Sequence, residues 1–453
     1  ANAAGGVISI TTLRGDAGTT ATILVDGVAQ VGLMTFEAGN TLDLTTGSGV
    51  VFDARNASDR SQGLANVTAE TLRVEAGRIG GFSTATTDNA LQTDVRQLQA
   101  ITTANASATT IIALNNAGDL TLTDAAGNGY AIRSISQDAS LDIRTGGDLT
   151  IASSIDWVSQ STQGTRDLRL EAGAGGGSGG VTVDADITAY AAALTLLASG
   201  DILQSKDTTV FTRAGELAVV SSAGGFTQRQ GAVLTTAQGV LDGNLLITVD
   251  GNLVLDGLQV GGSTAALESA SGDVIWAGSG RLAAGGLVIK AGGSAGTLGR
   301  DGQPLALSVD RLAIDAGGDV AVQNDRSLSV EALSLTVSEA TREITRTNAT
   351  LRTVSATGIT ASDGGVLVQT SAGDLQVGEN ITAGATYAPV LSSSGALPSA
   401  VSGAVTLLSA GGIAFSGSAA VSAAAGGLID IEAFGGALTS AAGNSVSSDG
   451  GVI

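Results

Sequence analysis

One phrase recurs along the chain. Residues 312–322 read "LAIDAGGDVAV", with near-copies at 141–151 ("LDIRTGGDLTI"), 245–255 ("LLITVDGNLVL"), 266–276 ("ALESASGDVIW") and 367–377 ("LVQTSAGDLQV"). On both sides of a glycine pivot, apolar residues alternate with others, as in a strand that buries one face. The pivots Gly146, Gly173, Gly200, Gly224, Gly251, Gly272, Gly292 and Gly317 stand 27, 27, 24, 27, 21, 20 and 25 residues apart. Further copies turn at Gly118, Gly373, Gly411 and Gly435. A loose repeat of this length marks stacked coils, each of which buries its apolar side only against its neighbours.

Composition narrows the kind of coil. Aromatics make up 3% of the 453 residues and charged residues 14%, against about 25% charged in an average globular domain. The apolar residues are mostly Ala, Val, Leu and Ile, which suit a thin core. With 43% apolar residues in a regular pattern, disorder is excluded. Helical repeats need 3.6-residue periodicity and good helix formers, whereas Thr, Ser, Val and Gly saturate these segments. The expected fold is all-β: a right-handed parallel β-helix (β-solenoid) with irregular coils of about 20–28 residues, the hand following from parallel crossovers. Roughly 18 coils at about 4.8 Å each give a length of roughly 85 Å.

Within a coil, Gly146, Gly200, Gly251, Gly272, Gly317 and Gly373 are read as structural turns, where positive φ is open to glycine. A second phrase, "VRQL" at 95, "VDRL" at 309 and "VEAL" at 330, spaces Val and Leu three apart. Both can face inward if the strand bulges between them. Residues 1–453 are expected to form a single continuous solenoid, a piece of a longer repeat array, with side loops at 339–350 and 384–403. The second loop carries two of the three prolines.

The net charge is −21, and Lys206 and Lys290 are the only lysines. Phosphate binding needs clustered cations, so nucleic acid is not an expected partner. The chain has no Cys and no run of about 18 apolar residues that would span a membrane as a helix. "ANAAGGVISI" at its start lacks the basic region of a signal peptide.

The phrases "LDIRTGGDLTIASS", "LAIDAGGDVAV" and "DVRQLQAITT…IIALNNAGDLTLT" resemble the repeat region of filamentous haemagglutinin-type proteins. These are large bacterial surface and secreted proteins of the two-partner-secretion or autotransporter type. The likeness covers about residues 40–453, and it is a style of repeat rather than a strict motif. It implies an extracellular or cell-surface location and a shaft or adhesive role. Such families carry an N-terminal secretion domain with Asn-Pro motifs. No Asn-Pro occurs here, so the chain is expected to be a stretch of shaft.

Candidate sites are few. The chain has no His and no Cys, which removes most triads and thiol chemistry. Two carboxylates suffice for glycoside hydrolysis, but Trp157, Trp276 and three Tyr are spread too widely to suggest a polysaccharide cleft. No enzyme activity is expected. Asp119, Asp148, Asp201, Asp273, Asp319 and Asp374 follow pivot glycines, and their side chains are expected to accept hydrogen bonds from turn amides. A ladder of these carboxylates binding Ca²⁺ is the alternative, but the strict calcium repeat is missing and no cofactor is expected. Arg14, Gly15 and Asp16 form an "RGD" that could engage an integrin in an exposed loop. Sequons stand at Asn56, Asn66, Asn105 and Asn348.

The function expected from these readings is a structural or adhesive shaft of an extracellular protein. The alternatives are a self-assembling filament subunit and a polysaccharide-binding or polysaccharide-cleaving β-helix. The expected partners are a host or neighbouring cell surface, a glycan, or copies of the same chain in a homopolymer.

Overall fold

A computed structural model describes residues 4–15, 20–24, 26–36, 41–45, 50–53, 65–81, 90–102, 110–134, 139–157, 167–190, 192–213, 215–238, 241–278, 280–298, 303–340, 349–384, 404–424 and 427–448. The alternating segments are short strands, and each pairs in parallel with the segment one coil further on. Leu141 lies opposite Leu168, Leu168 opposite Leu194, and Leu194 opposite Leu217, so one coil takes 27, 26 and then 23 residues. The architecture is a parallel β-helix.

The described residues form two compact units, Ala1–Ser222 with Ser338–Leu351, and Ala223–Val337 with Arg352–Ile453. From residue 110 on, each coil of the first unit has three strands. One stack runs through Thr110–Asn116, Ala139–Thr145, Asp167–Ala172, Ala193–Ala198 and Glu216–Ser221. A second contains Leu120–Leu122, Leu149–Ile151, Val181–Val183 and Ile202–Gln204. A third contains Tyr130–Ser134, Ser154–Trp157, Ile187–Ala189 and Thr209–Thr212. Inward side chains stack like on like: Ile132, Ile155, Ile187 and Val210 form one fully buried column. In the second unit a longer column runs through Phe226, Leu253, Val274, Ala295, Val320, Val366, Val405 and Ile429, all buried. Each Val, Leu, Ile or Phe in these columns contributes about 1.5–3 kcal/mol on leaving water.

The Val-x-x-Leu phrase bulges as expected in two of its three copies. Leu91–Thr102 buries Val95 and Leu98 and turns Arg96 and Gln97 outward. Leu305–Ala316 does the same with Val309, Leu312, Asp310 and Arg311. A buried asparagine holds each bulge: Asn116 Oδ1 accepts from Val95 N at 2.9 Å, and Asn324 Oδ1 accepts from Val309 N at 2.9 Å. In the third copy the chain breaks at Glu331, between Leu328–Val330 and Ala332–Ser338. It then enters a two-stranded sheet with Leu351–Thr357.

The pivot glycines differ from expectation in their reason. Gly373 has φ +76°, but Gly146, Gly200, Gly251, Gly272 and Gly317 are not in the left-handed region. The constraint at these five is the closeness of the neighbouring coil. A Cβ on Gly146 would collide with Ala117 O, and one on Gly317 with Gly292 O. At Gly200 and Gly251 the nearest atom lies at 3.3 Å, tight but open to adjustment.

Candidate functional site

The Gly-Asp corners carry the most regular polar chemistry. Asp119 Oδ1 accepts from Asp148 N at 2.9 Å, and Asp148 Oδ1 accepts from Gly180 N at 2.8 Å. In the second unit Asn252 Oδ1 accepts from Asp273 N, Asp273 Oδ1 from Ser294 N, Ser294 Oγ from Asp319 N, and Asp319 Oδ1 from Gly365 N, at 2.6–3.1 Å. Asp374 Oδ1 accepts from Gly412 N at 2.7 Å. Each carboxylate therefore bonds an amide of an adjacent coil rather than of its own turn. The corner backbone continues the ladder beside them, with Gly293 N donating to Gly272 O and Gly318 N to Gly293 O, both at 2.8 Å. Asp201 takes part through its backbone, Val181 N donating to Asp201 O at 3.0 Å. Inside the corner, Ser221 Oγ donates to Gly200 O at 2.6 Å and Ser269 Oγ to Gly251 O at 2.7 Å. The corners thus continue from coil to coil the hydrogen bonding that the strands make.

The outer side of the first stack holds a charge box. Strand register places Asp142 opposite Arg169 and Arg144 opposite Glu171. Arg144 Nε lies 2.6 Å from Glu171 Oε2, and Arg169 Nη2 lies 3.0 Å from the same oxygen. Arg169 Nε is 4.0 Å from Asp142 Oδ1, and Asp142 is fully buried. Burial alone would raise the Glu171 carboxyl, but the Arg144 hydrogen bond and the charges of Arg169 and Arg144 outweigh it and hold it below its ordinary range. Such a carboxylate is a poor proton donor near neutrality.

Beside this box the chain returns from far along the sequence. Ala340 N donates to Thr195 Oγ1 at 2.7 Å, Arg169 Nη1 donates to Ala340 O at 3.3 Å, and Ser338 N donates to Glu216 Oε2 at 2.8 Å. Glu339 N pairs with Thr350 O at 2.9 Å. Thr195, Glu339 and Ala340 are buried. Three successive rungs, at Arg169, Thr195 and Glu216, therefore hold one short segment. The side loop expected at 339–350 is in part a docked strap, and residues 341–348 lie outside the described residues.

The remaining sequence candidates are not brought into a common site. The backbone of Arg14 and Gly15 belongs to the strand Ala4–Gly15, opposite Thr35 and Phe36. Asp16 lies outside the described residues, as do 385–403 of the second loop. Of the sequons, Asn56, Asn105 and Asn348 also lie outside them, and a further one, Asn380, is exposed with its Oδ1 accepting from Ala420 N at 2.9 Å. Asn66 is fully buried, donating to Asp53 Oδ1 at 2.8 Å and accepting from Gln92 N at 2.9 Å. Among the described residues no group of three or more Asp or Glu converges as metal ligands, and no helix is long and apolar enough to cross a membrane.

Sequence reasoning missed the asparagine pins and the charge box. The box was legible in principle, since "DIR" at 142–144 and "RLE" at 169–171 place opposite signs in register one coil apart. The docked strap left no such signal. Comparisons with protein-family models, with curated proteins and with solved structures each return no significant match.

Proposed function

We propose that this chain is a structural and adhesive shaft, a stiff β-helical spacer in a large extracellular bacterial surface protein of the filamentous haemagglutinin type. The carrying observation is the continuity of hydrogen bonding within each unit: strand ladders, corner backbone and corner carboxylates all bond from one coil to the next. Polar side chains that a catalyst would aim at a substrate are engaged here in holding coils together. An acidic, Lys-poor surface resists self-association in solution. The repeat phrases and the lack of cysteine agree with an exported, disulfide-free protein.

A second reading is self-assembly of copies of the chain into a filament, because coils of this kind bury their apolar sides only against neighbouring coils. Electron microscopy of the purified chain separates the two. Discrete thin particles of uniform length are expected for the shaft, and polymers with a regular axial repeat would replace it with the filament. Compact round particles would overturn both.

A further inference from the structure

The third stack of the first unit presents an outer face unlike any other described surface of the chain. Its outward positions run in register through Arg133, Asp156, Thr188 and Phe211 on four successive coils. Tyr190 follows Ala189, and Arg213 lies one coil on, its N–H donating to Ala189 O at 2.9 Å. Four aromatic residues of described burial are not buried, and three of them, Tyr130, Tyr190 and Phe211, share this face. The Tyr190 and Phe211 rings meet edge to face at 6.2 Å and 83°. Each tyrosine carries a guanidinium, Arg133 at 4.7 Å from the Tyr130 centroid and Arg213 at 5.2 Å from that of Tyr190.

The two arginines are not equivalent. Arg133 Nε lies 3.4 Å from Asp156 Oδ2, so that charge has a partner. Among the described residues Arg213 has no carboxylate within ion-pair distance, whereas its Nε, like that of Arg133, is buried without a hydrogen-bond acceptor. In a chain of net charge −21, a half-buried cation left unpaired beside aromatic rings is poised for an anion. Arginine suits a carboxylate because its planar fork donates two parallel hydrogen bonds. The Phe211 ring beside it offers the apolar surface that the C–H face of a sugar ring covers. Burial pushes the Asp156 carboxyl upward, and Arg133 partly offsets this. The Asp156–Arg133 pair and the Thr188 hydroxyl can donate to and accept from sugar hydroxyls.

We propose that this face binds an extended, carboxylated oligosaccharide lying along the coil axis, with Arg213 holding a sugar carboxylate and Phe211 and Tyr190 flanking the same ring. The four coils span three steps of about 4.8 Å, roughly 14 Å in all, which matches about three sugar residues. The site is independent of the shaft reading, since it needs only the local register of four coils.

Isothermal titration of the full chain with tri- and tetragalacturonate, and with the neutral galactose oligomers of the same length, tests it. The acidic oligomers are expected to bind and the neutral ones to bind at least about tenfold more weakly, the difference being the charge-assisted pair. Arg213→Gln should remove that preference, and Phe211→Ala should weaken both series with unchanged circular dichroism. No acidic oligomer bound at about 10 mM, a level where even contacts of about −3 kcal/mol register, would overturn the proposal. Equal binding of neutral and acidic oligomers, or binding indifferent to Arg213→Gln, would do so too.

Discussion

Asp273 and Asp319 each accept the amide of the following coil, from Ser294 N at 2.6 Å and Gly365 N at 2.8 Å. Replacing either with Ala leaves that amide without its acceptor, at a cost of about 1 kcal/mol for a part-exposed group. Asn keeps the acceptor oxygen and should cost far less. Thermal melts of D273A and D273N check this, and equal melting temperatures would contradict the inter-coil role. Glu171 supplies a pH signature. Its folded-state pKa lies below the ordinary value, so its contribution is complete above about pH 4.3. The contribution is lost as pH falls through the lower folded value. Glu171→Gln should therefore flatten the acid limb of the melting temperature against pH. A variant whose acid limb matches the parent would show that the box does not stabilise the fold. Pivot glycines divide similarly: Gly317→Ala forces a clash with Gly292 O, whereas Gly251→Ala meets its nearest atom at 3.3 Å. The first should destabilise by more than the second in the same melts.

At the scale of elements, the strap Ser338–Ala340 makes the boldest connection in the first unit. Ala340 N is buried against Thr195 Oγ1. Thr195→Val keeps the shape and removes the acceptor, which costs about 1–3 kcal/mol for a buried orphan donor. Hydrogen exchange should quicken at Ala340 and along Ala193–Ala198 while distant coils are unaffected. Unaltered exchange at Ala340 would show that the segment is not held there. The two long strands make a second case. Val95 with Leu98, and Val309 with Leu312, were legible as a bulge from their spacing. The asparagines that fix the bulges, Asn116 and Asn324, lie 21 and 15 residues beyond the valines they bond. No local pattern ties such residues to the strands they hold.

At the scale of the molecule, each coil touches mainly its neighbours, so stability within a unit should be close to a sum of local terms. Ile143 and Ile314 are fully buried. Replacing either with Asp buries an unpaired charge, one of the few changes that costs more than about 4 kcal/mol. Exchange mapping of Ile143→Asp should show protection lost in adjacent coils and kept in those several rungs away. Loss that is uniform through the unit would mean one cooperative block instead.

Residue order alone carries the strand period, the coil length and the inward column of Val, Leu and Ile, because these follow from alternation and from the spacing of the glycine pivots. It also marks the corner carboxylates as hydrogen-bond acceptors. The stacking of the coils decides whose amides they accept, why most pivots must be glycine, and where the strap from 338 docks. It also decides that Tyr130, Tyr190, Phe211 and Arg213 share one face. These depend on which residues register stacks across coils, a relation between positions 20 to more than 140 residues apart. Unequal coil lengths hide that relation from any fixed period along the chain.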